Sequence, residues 1–411
     1  MTRVGFPAHR FVLPLIVVGS FLAGAPAAAG GNREALERTA AAHYDAGFRS
    51  RARAYHRPTL VAFLLELGVT VAAAIWLLLG PGHPWVRALA RAAGPVWLGR
   101  VAVLTAAYLG FAVLEFPFRV FFYVHAREAG LRHDPWSGFL LDWTKGLAVG
   151  WIQVVAAGLL VLWLFAAIPR WGWLWGAGGI GVLAALYIFV APILVDPLFH
   201  RFRPLEDSAL ASRLLEIAHR GGIAVGEILV ADASRRTRAV NAYFTGLGRT
   251  KRIVLYDTLV EKLDAEEVSV VLAHEVGHWK HRHVMLGLAG GVLGAAAGLG
   301  VLFLLLGRGA ESGAWSAVGR EDPILALPAY ALTVLLLTAA MVPANMVSRR
   351  METQADRASL DLTGDREAFI RSEVRIAHEN LSDVLPSAWI EFLFYTHPSN
   401  ARRILLAEEG P

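Results

Sequence analysis

The sequence predicts a mainly α, polytopic membrane protein with about seven transmembrane helices and a small α+β region at the membrane surface. Three observations predict it. Hydrophobic residues make up 55% of the 411 residues and charged residues only 18%, whereas a soluble chain of this size carries roughly a quarter charged residues. Mean hydropathy is +0.47. Seven stretches are apolar over the roughly 20 residues that a bilayer-crossing helix requires.

In chain order these stretches are 11–29, 58–80, 96–118, 147–168, 172–195, 284–307 and 324–347. Clusters such as Gly80-Pro81-Gly82, Pro169-Arg170 and Gly307-Arg308-Gly309 punctuate their ends. The first is the ambiguous one. Arg3 and Arg10, the apolar run 11–22 and the Ala-rich stretch Ala23 to Ala29 also have the form of a secretory signal peptide. A retained anchor is the expectation, because cleavage would leave the six arginines of 30–57 outside the cell. Residues 1–195 then form an N-terminal membrane region with about five spans, and 196–411 a second region with the last two.

Seven crossings place 30–57, 119–146, 196–283 and 348–411 on one side. These segments hold 31 of the 39 Lys and Arg residues, so they are expected in the cytoplasm. The net charge of +5 is spread between apolar blocks, and only four basic residues are lysines. Without a dense basic patch, no nucleic-acid partner is expected, and the lipid bilayer is the expected surroundings. Cysteine is absent, which excludes a disulfide framework, a thiolate metal site and a cysteine nucleophile.

The chemistry-bearing residues begin with His274-Glu275-Val276-Gly277-His278. On a helix, positions i and i+4 share a face, so both imidazoles reach one ion. The intervening Glu275 points off that face and is free to take a proton from water, the arrangement of zinc-dependent proteases. The run Ala265 to His278 reads as a helix, with Glu266 and Glu267 in the first turn. His281 and His283, just beyond it, are expected to be solvated. A catalytic zinc needs a third protein ligand. Glu352 and Asp356 lie one helical turn apart, so one can ligate while the other holds a ligand histidine; a solvated helix pairing with Arg349 or Arg357 fits the spacing as well. His397 and Arg403 form a further cluster, either oxyanion-stabilising groups or a polar C-terminal turn. Ile228-Leu229-Val230, Asn241-Ala242-Tyr243-Phe244 and Ile253-Val254-Leu255-Tyr256 read as a small sheet beside the metal helix, with an edge able to pair with an extended peptide or simply packed as core. Glu66, inside the second span, marks either a polar interior or an interfacial carboxyl.

Together these segments resemble the integral-membrane zinc metalloproteases typified by CAAX prenyl protease 1. The resemblance rests on Leu263 to His283, Ser348 to Asp356, Asn241 to Phe244, Arg252 to Leu259, Pro197 to Leu205, and Thr396-His397-Pro398 with Arg403. It covers most of 190–411, and the span layout extends it over nearly the whole chain. It implies one zinc ion held by His274, His278 and Glu352, with Glu275 as general base and Asp356 supporting a ligand. It further implies His397 and Arg403 at the transition state, and Asn241, Ala242 and Tyr243 beside the substrate. The helices would surround an intramembrane chamber, and the substrate would be a peptide or membrane-associated protein. The Ala- and Arg-rich usage suggests a bacterial cell membrane. The alternative is a non-catalytic membrane scaffold or lipid- or peptide-binding chamber with a vestigial zinc site, against which the intact Glu275 speaks. A site-2-type protease would place its motif within a hydrophobic span, whereas Glu266, Glu267, Lys280 and Arg282 flank this one.

Overall fold

The structure, a computed structural model, describes residues 33–79, 84–223, 228–313, 315 and 319–410. The expected first span, 11–29, lies outside them. Helices α1 (Arg33–His43), α2 (Ala46–Leu79), α3 (Pro84–Ala92), α4 (Val96–Glu128), α5 (Trp136–Ala167) and α6 (Gly172–Val190) come first. A π-turn over Ala191–Val195 joins α6 to α7 (Asp196–Phe199). The chain then folds into a compact region of β1 (Phe202–Pro204), α8 (Ser208–Arg220), β2 (Ile228–Ala231), β3 (Ala242–Thr245), β4 (Arg252–Tyr256), α9 (Asp257–Lys262) and α10 (Ala265–Lys280). It re-enters the apolar layer in α11 (His283–Glu311) and α12 (Ala326–Thr363), and ends in α13 (Arg366–Glu379), α14 (Ala388–Phe394) and α15 (Asn400–Glu409).

Among the described residues six helical stretches are long and apolar enough to cross a membrane: 46–79, 96–128, 136–167, 172–199, 283–311 and 323–363. Each overlaps nearly all of one of the apolar stretches seen in the sequence, and most run well past it at one end. The overrun matters most in α12, which carries Glu352 and Asp356 beyond its apolar part on the same rigid rod. The spans close tightly at one end, where Leu77, Val103, Phe111, Phe165, Leu299 and Leu325 share one core. Their middles are looser. In α4 no residue between Phe111 and Tyr123 is buried, and in α12 only Asn345 is buried between Leu332 and Glu352. Glu66 is buried there and paired: Arg119 of α4 donates to it at 2.7 Å and to Glu115 at 2.8 Å. A carboxylate in an apolar span is costly unless it is paired in this way.

The sheet has the order β1-β2-β4-β3; β2 and β4 run parallel and the outer pairs antiparallel. Its three longer strands are the expected ones. The short β1 escaped the sequence reading because three residues ending in proline show no alternation. Ile253, Leu255, Leu259, Leu272, Val276, Leu362 and Ile376 form the core beneath the sheet. Helix α10 is fixed at its start by a capping box: Asp264 accepts from the Glu267 N–H and Glu267 from the Asp264 N–H, each at 2.9 Å. Of the two acids expected in this first turn, Glu267 therefore acts as a start signal, while Glu266 accepts from Arg213 at 2.8 Å.

Candidate metal centre

Two helices build the centre. His274 and His278 project from α10, Glu352 from α12, and their ligand atoms all lie within 4.8 Å of one another. Nε2 of His274 is 3.1 Å from a Glu352 oxygen and 3.1 Å from Nε2 of His278. Such an approach needs the two helix backbones nearly in contact, and Gly277 permits it. A Cβ at that position would sit 2.9 Å from Cα of Ala355, closer than real contacts allow. The glycine inside the histidine pair is therefore what lets α12 bring its carboxylate to the imidazoles.

The other ring nitrogens set the protonation pattern. Nδ1 of His274 donates to Asp356 at 2.8 Å. Nδ1 of His278 faces Nδ1 of His283 at 2.9 Å, and Nε2 of His283 faces the Gln354 side-chain oxygen at 3.0 Å. Gln354 Oε1 only accepts, so His283 donates from Nε2 and accepts at Nδ1 from His278. Each imidazole, when neutral, thereby turns its Nε2 lone pair towards Glu352. Imidazole nitrogens and a carboxylate converging in this way favour a cation among them, a proton on His274 or a metal ion. Two imidazoles and one carboxylate are a donor set that zinc takes in catalytic sites, and outer partners of this kind orient such ligands.

His283 is buried, not solvated as the sequence suggested. The cause is local. Arg282 adopts a left-handed conformation, φ 55°, at a cost of about 1–2 kcal/mol for a residue with a side chain. That turn folds α11 back so that its first residue meets His278.

Glu275 is buried on α10 beside the ligands, and its carboxylate accepts from the Phe244 N–H of β3 at 3.2 Å. Burial pushes its carboxyl above the usual carboxylate range, while the imidazoles of His278 and His274 pull the other way. A carboxyl raised in this manner is suited to accept a proton near neutral pH. Strand β3 is the outermost strand of the sheet on this side. Ala242 is buried, whereas Asn241 and Tyr243 are half-buried, and the Asn241 carbonyl accepts from the Tyr256 N–H at 2.9 Å.

His397, between α14 and α15, brings Nε2 to 3.3 Å from Glu352 and so joins the cluster. Arg403 is buried between two carboxylates. Its guanidinium donates to Asp356 through Nε at 2.9 Å and Nη2 at 2.5 Å, and its Nη1 meets Glu373 at 2.6 Å. It therefore braces Asp356 from behind, and through it His274. Sequence reasoning missed His283, Gln354 and Glu373. Gln354 lay in view between Glu352 and Asp356, but Glu373 has no spacing relation to the motif.

Comparison with known proteins follows the same lines. The pattern of Peptidase family M48 matches residues 204–409, and that of the CAAX prenyl protease N-terminal region with five membrane helices matches 32–201. The uncharacterized metalloprotease YhfN of Bacillus subtilis is 36% identical over 276 residues, covering 65% of this chain and 64% of that protein. CAAX prenyl protease 1 of Saccharomyces cerevisiae is 31% identical over 241 residues, covering 54% and 52%. The chain thus matches less than two thirds of the length of the first of these relatives and about half of the second. The crystal structure of S. mikatae Ste24p superposes with a TM-score of 0.78 at 23% identity, over 89% of this chain and 90% of that one, and shows the same fold. The chain belongs to peptidase family M48, and its N-terminal part is similar to the membrane region of the CAAX prenyl proteases.

Proposed function

We propose that this metalloprotease is a zinc endopeptidase that cleaves extended peptides or membrane-associated proteins at the cytoplasmic face of the membrane. Residues 1–195 would be its membrane region and 196–411 its peptidase region. The observation that carries the reading is the convergence of His274, His278 and Glu352 next to a buried Glu275 that also touches the edge strand. When bound there, zinc supplies a Lewis acid that acidifies water and polarises a carbonyl.

The chain's own residues do the rest. Asp356 and His283 hold the two imidazoles in the tautomer that ligation requires. Glu275 takes the proton of the attacking water and returns one to the leaving amine. His397 stands near enough to the ligand cluster to donate to the oxygen that gains charge. Asn241, Ala242 and Tyr243 border the place where a peptide pairs as an added strand. Arg403 is read as a positioning residue and not as a second oxyanion donor. A scaffold with a vestigial site would have no use for Glu275 or for its contact with β3.

The relatives named CAAX prenyl protease suggest the first substrates to try: a farnesylated CAAX-type peptide and its unmodified counterpart. Supplied outside sealed vesicles, peptide is expected to be cut by inside-out vesicles and spared by right-side-out ones, with products identified by mass spectrometry. Cleavage only in right-side-out vesicles would reverse the orientation inferred from the 31 basic residues on one side. Cleavage of no peptide in either, with zinc bound, would favour the scaffold.

A further inference from the structure

We propose that Asn380 is a positioning residue for substrate: its side-chain amide acts as a stop that fixes where a peptide can pair along β3. This rests on the reading of β3 as the substrate strand. Asn380 caps the end of α13 and is buried, 4% exposed. Its Oδ1 accepts from the Val240 N–H at 2.9 Å, and its Nδ2 donates to the Val240 carbonyl at 3.2 Å. Those two bonds reproduce what a neighbouring strand would offer one residue of an antiparallel ladder. Asn380 thus stands in for a strand residue at the position just before Asn241.

The direction of these bonds gives the inference its content. Along a strand the N–H and C=O of successive residues point alternately to the two sides. The Asn241 carbonyl accepts from the Tyr256 N–H, so Asn241, Tyr243 and Thr245 address the inner neighbour β4. Val240, Ala242 and Phe244 then address the outer edge. Val240 is taken by Asn380, and the Phe244 N–H by Glu275. A peptide adding to this edge is bounded by the amide of Asn380 on one side and by the general base on the other, with Ala242 between them. A slip of two residues would keep every side chain on its face, so hydrophobic pattern alone does not prevent it; the occupied Val240 does. The segment ahead of it is anchored as well, since Thr258 Oγ1 donates to the Ala239 carbonyl at 2.8 Å.

The test measures peptide binding and cleavage by the full-length Asn380→Ala protein, with a peptide that the parent cuts at one bond. KM is expected to rise about tenfold, the scale of about 1.4 kcal/mol in binding, while kcat at the main bond and zinc content stay within about twofold of the parent, since no ligand or base is touched. A second product, cut two residues from the first, is expected to appear. Thr258→Val, which removes only the anchor at Ala239, is expected to raise KM less and serves if Asn380→Ala does not fold. A folded, zinc-loaded variant with the parent's KM and single cleavage site would overturn the proposal, as would equal loss of kcat and zinc. If the parent and Glu275→Gln proteins bind no peptide at all, the substrate-strand reading itself fails, and Asn380 with it.

Discussion

Glu275→Gln protein is expected to bind zinc as the parent does and to cleave peptide about a hundred to ten thousand times more slowly, the range associated with losing a general base. The substitution keeps the shape of the side chain. Its amide oxygen still accepts from the Phe244 N–H, so β3 and α10 stay joined at that point. What disappears is the carboxylate, which burial holds in a state ready to take up a proton. Zinc content should not change, because Glu275 is not among the proposed ligands His274, His278 and Glu352, which could hold the ion without it. Wild-type turnover in this variant would remove Glu275 from the chemistry. Loss of zinc in step with activity would instead make it a ligand.

Arg403→Leu is expected to destabilise the protein by roughly 3–5 kcal/mol, the cost of leaving buried charge without its partner. The guanidinium lies between Asp356 and Glu373, both buried. Removing it leaves two carboxylates facing an apolar replacement. Arg403→Lys keeps the charge, but one ammonium cannot reproduce a fork that reaches both carboxylates through three nitrogens. It should therefore restore part of the stability and leave His274 less firmly oriented. Thermal unfolding and zinc affinity are the readouts. An arginine that served only the transition state would show the opposite pattern, with kcat falling while melting temperature and zinc affinity stay at parent values.

How much of this could be read from sequence depends on the distance over which each feature is encoded. His274 and His278 were legible because four residues is one helical turn, and the six described spans because burial in lipid demands a continuous apolar run. The carboxylates were half-legible. Their spacing announced a pair on one turn, but only the structure shows Asp356 on Nδ1 of His274 and Glu352 towards Nε2. His283 was misread, since its contact with His278 depends on one left-handed residue, Arg282, which no periodicity reports. Arg403 was recognised as part of the site, yet its direction is set by Glu373 on α13 and Asp356 on α12, a tertiary meeting that the spacing of residues does not carry. Gly277 carries no signal of its own in the motif; its part shows only in the backbone of α12 lying against it.

Zinc titration of the metal-free full-length protein, followed by peptide cleavage, tests the metalloprotease reading most directly. Activity is expected to rise in proportion to added zinc and to level off at about one equivalent per chain, as a single site of two imidazoles and a carboxylate requires. The His278→Ala protein, which lacks one of those imidazoles, should show no such break. Full cleavage by the metal-free protein, or a His278→Ala protein that still fills and fires at one equivalent, would contradict it.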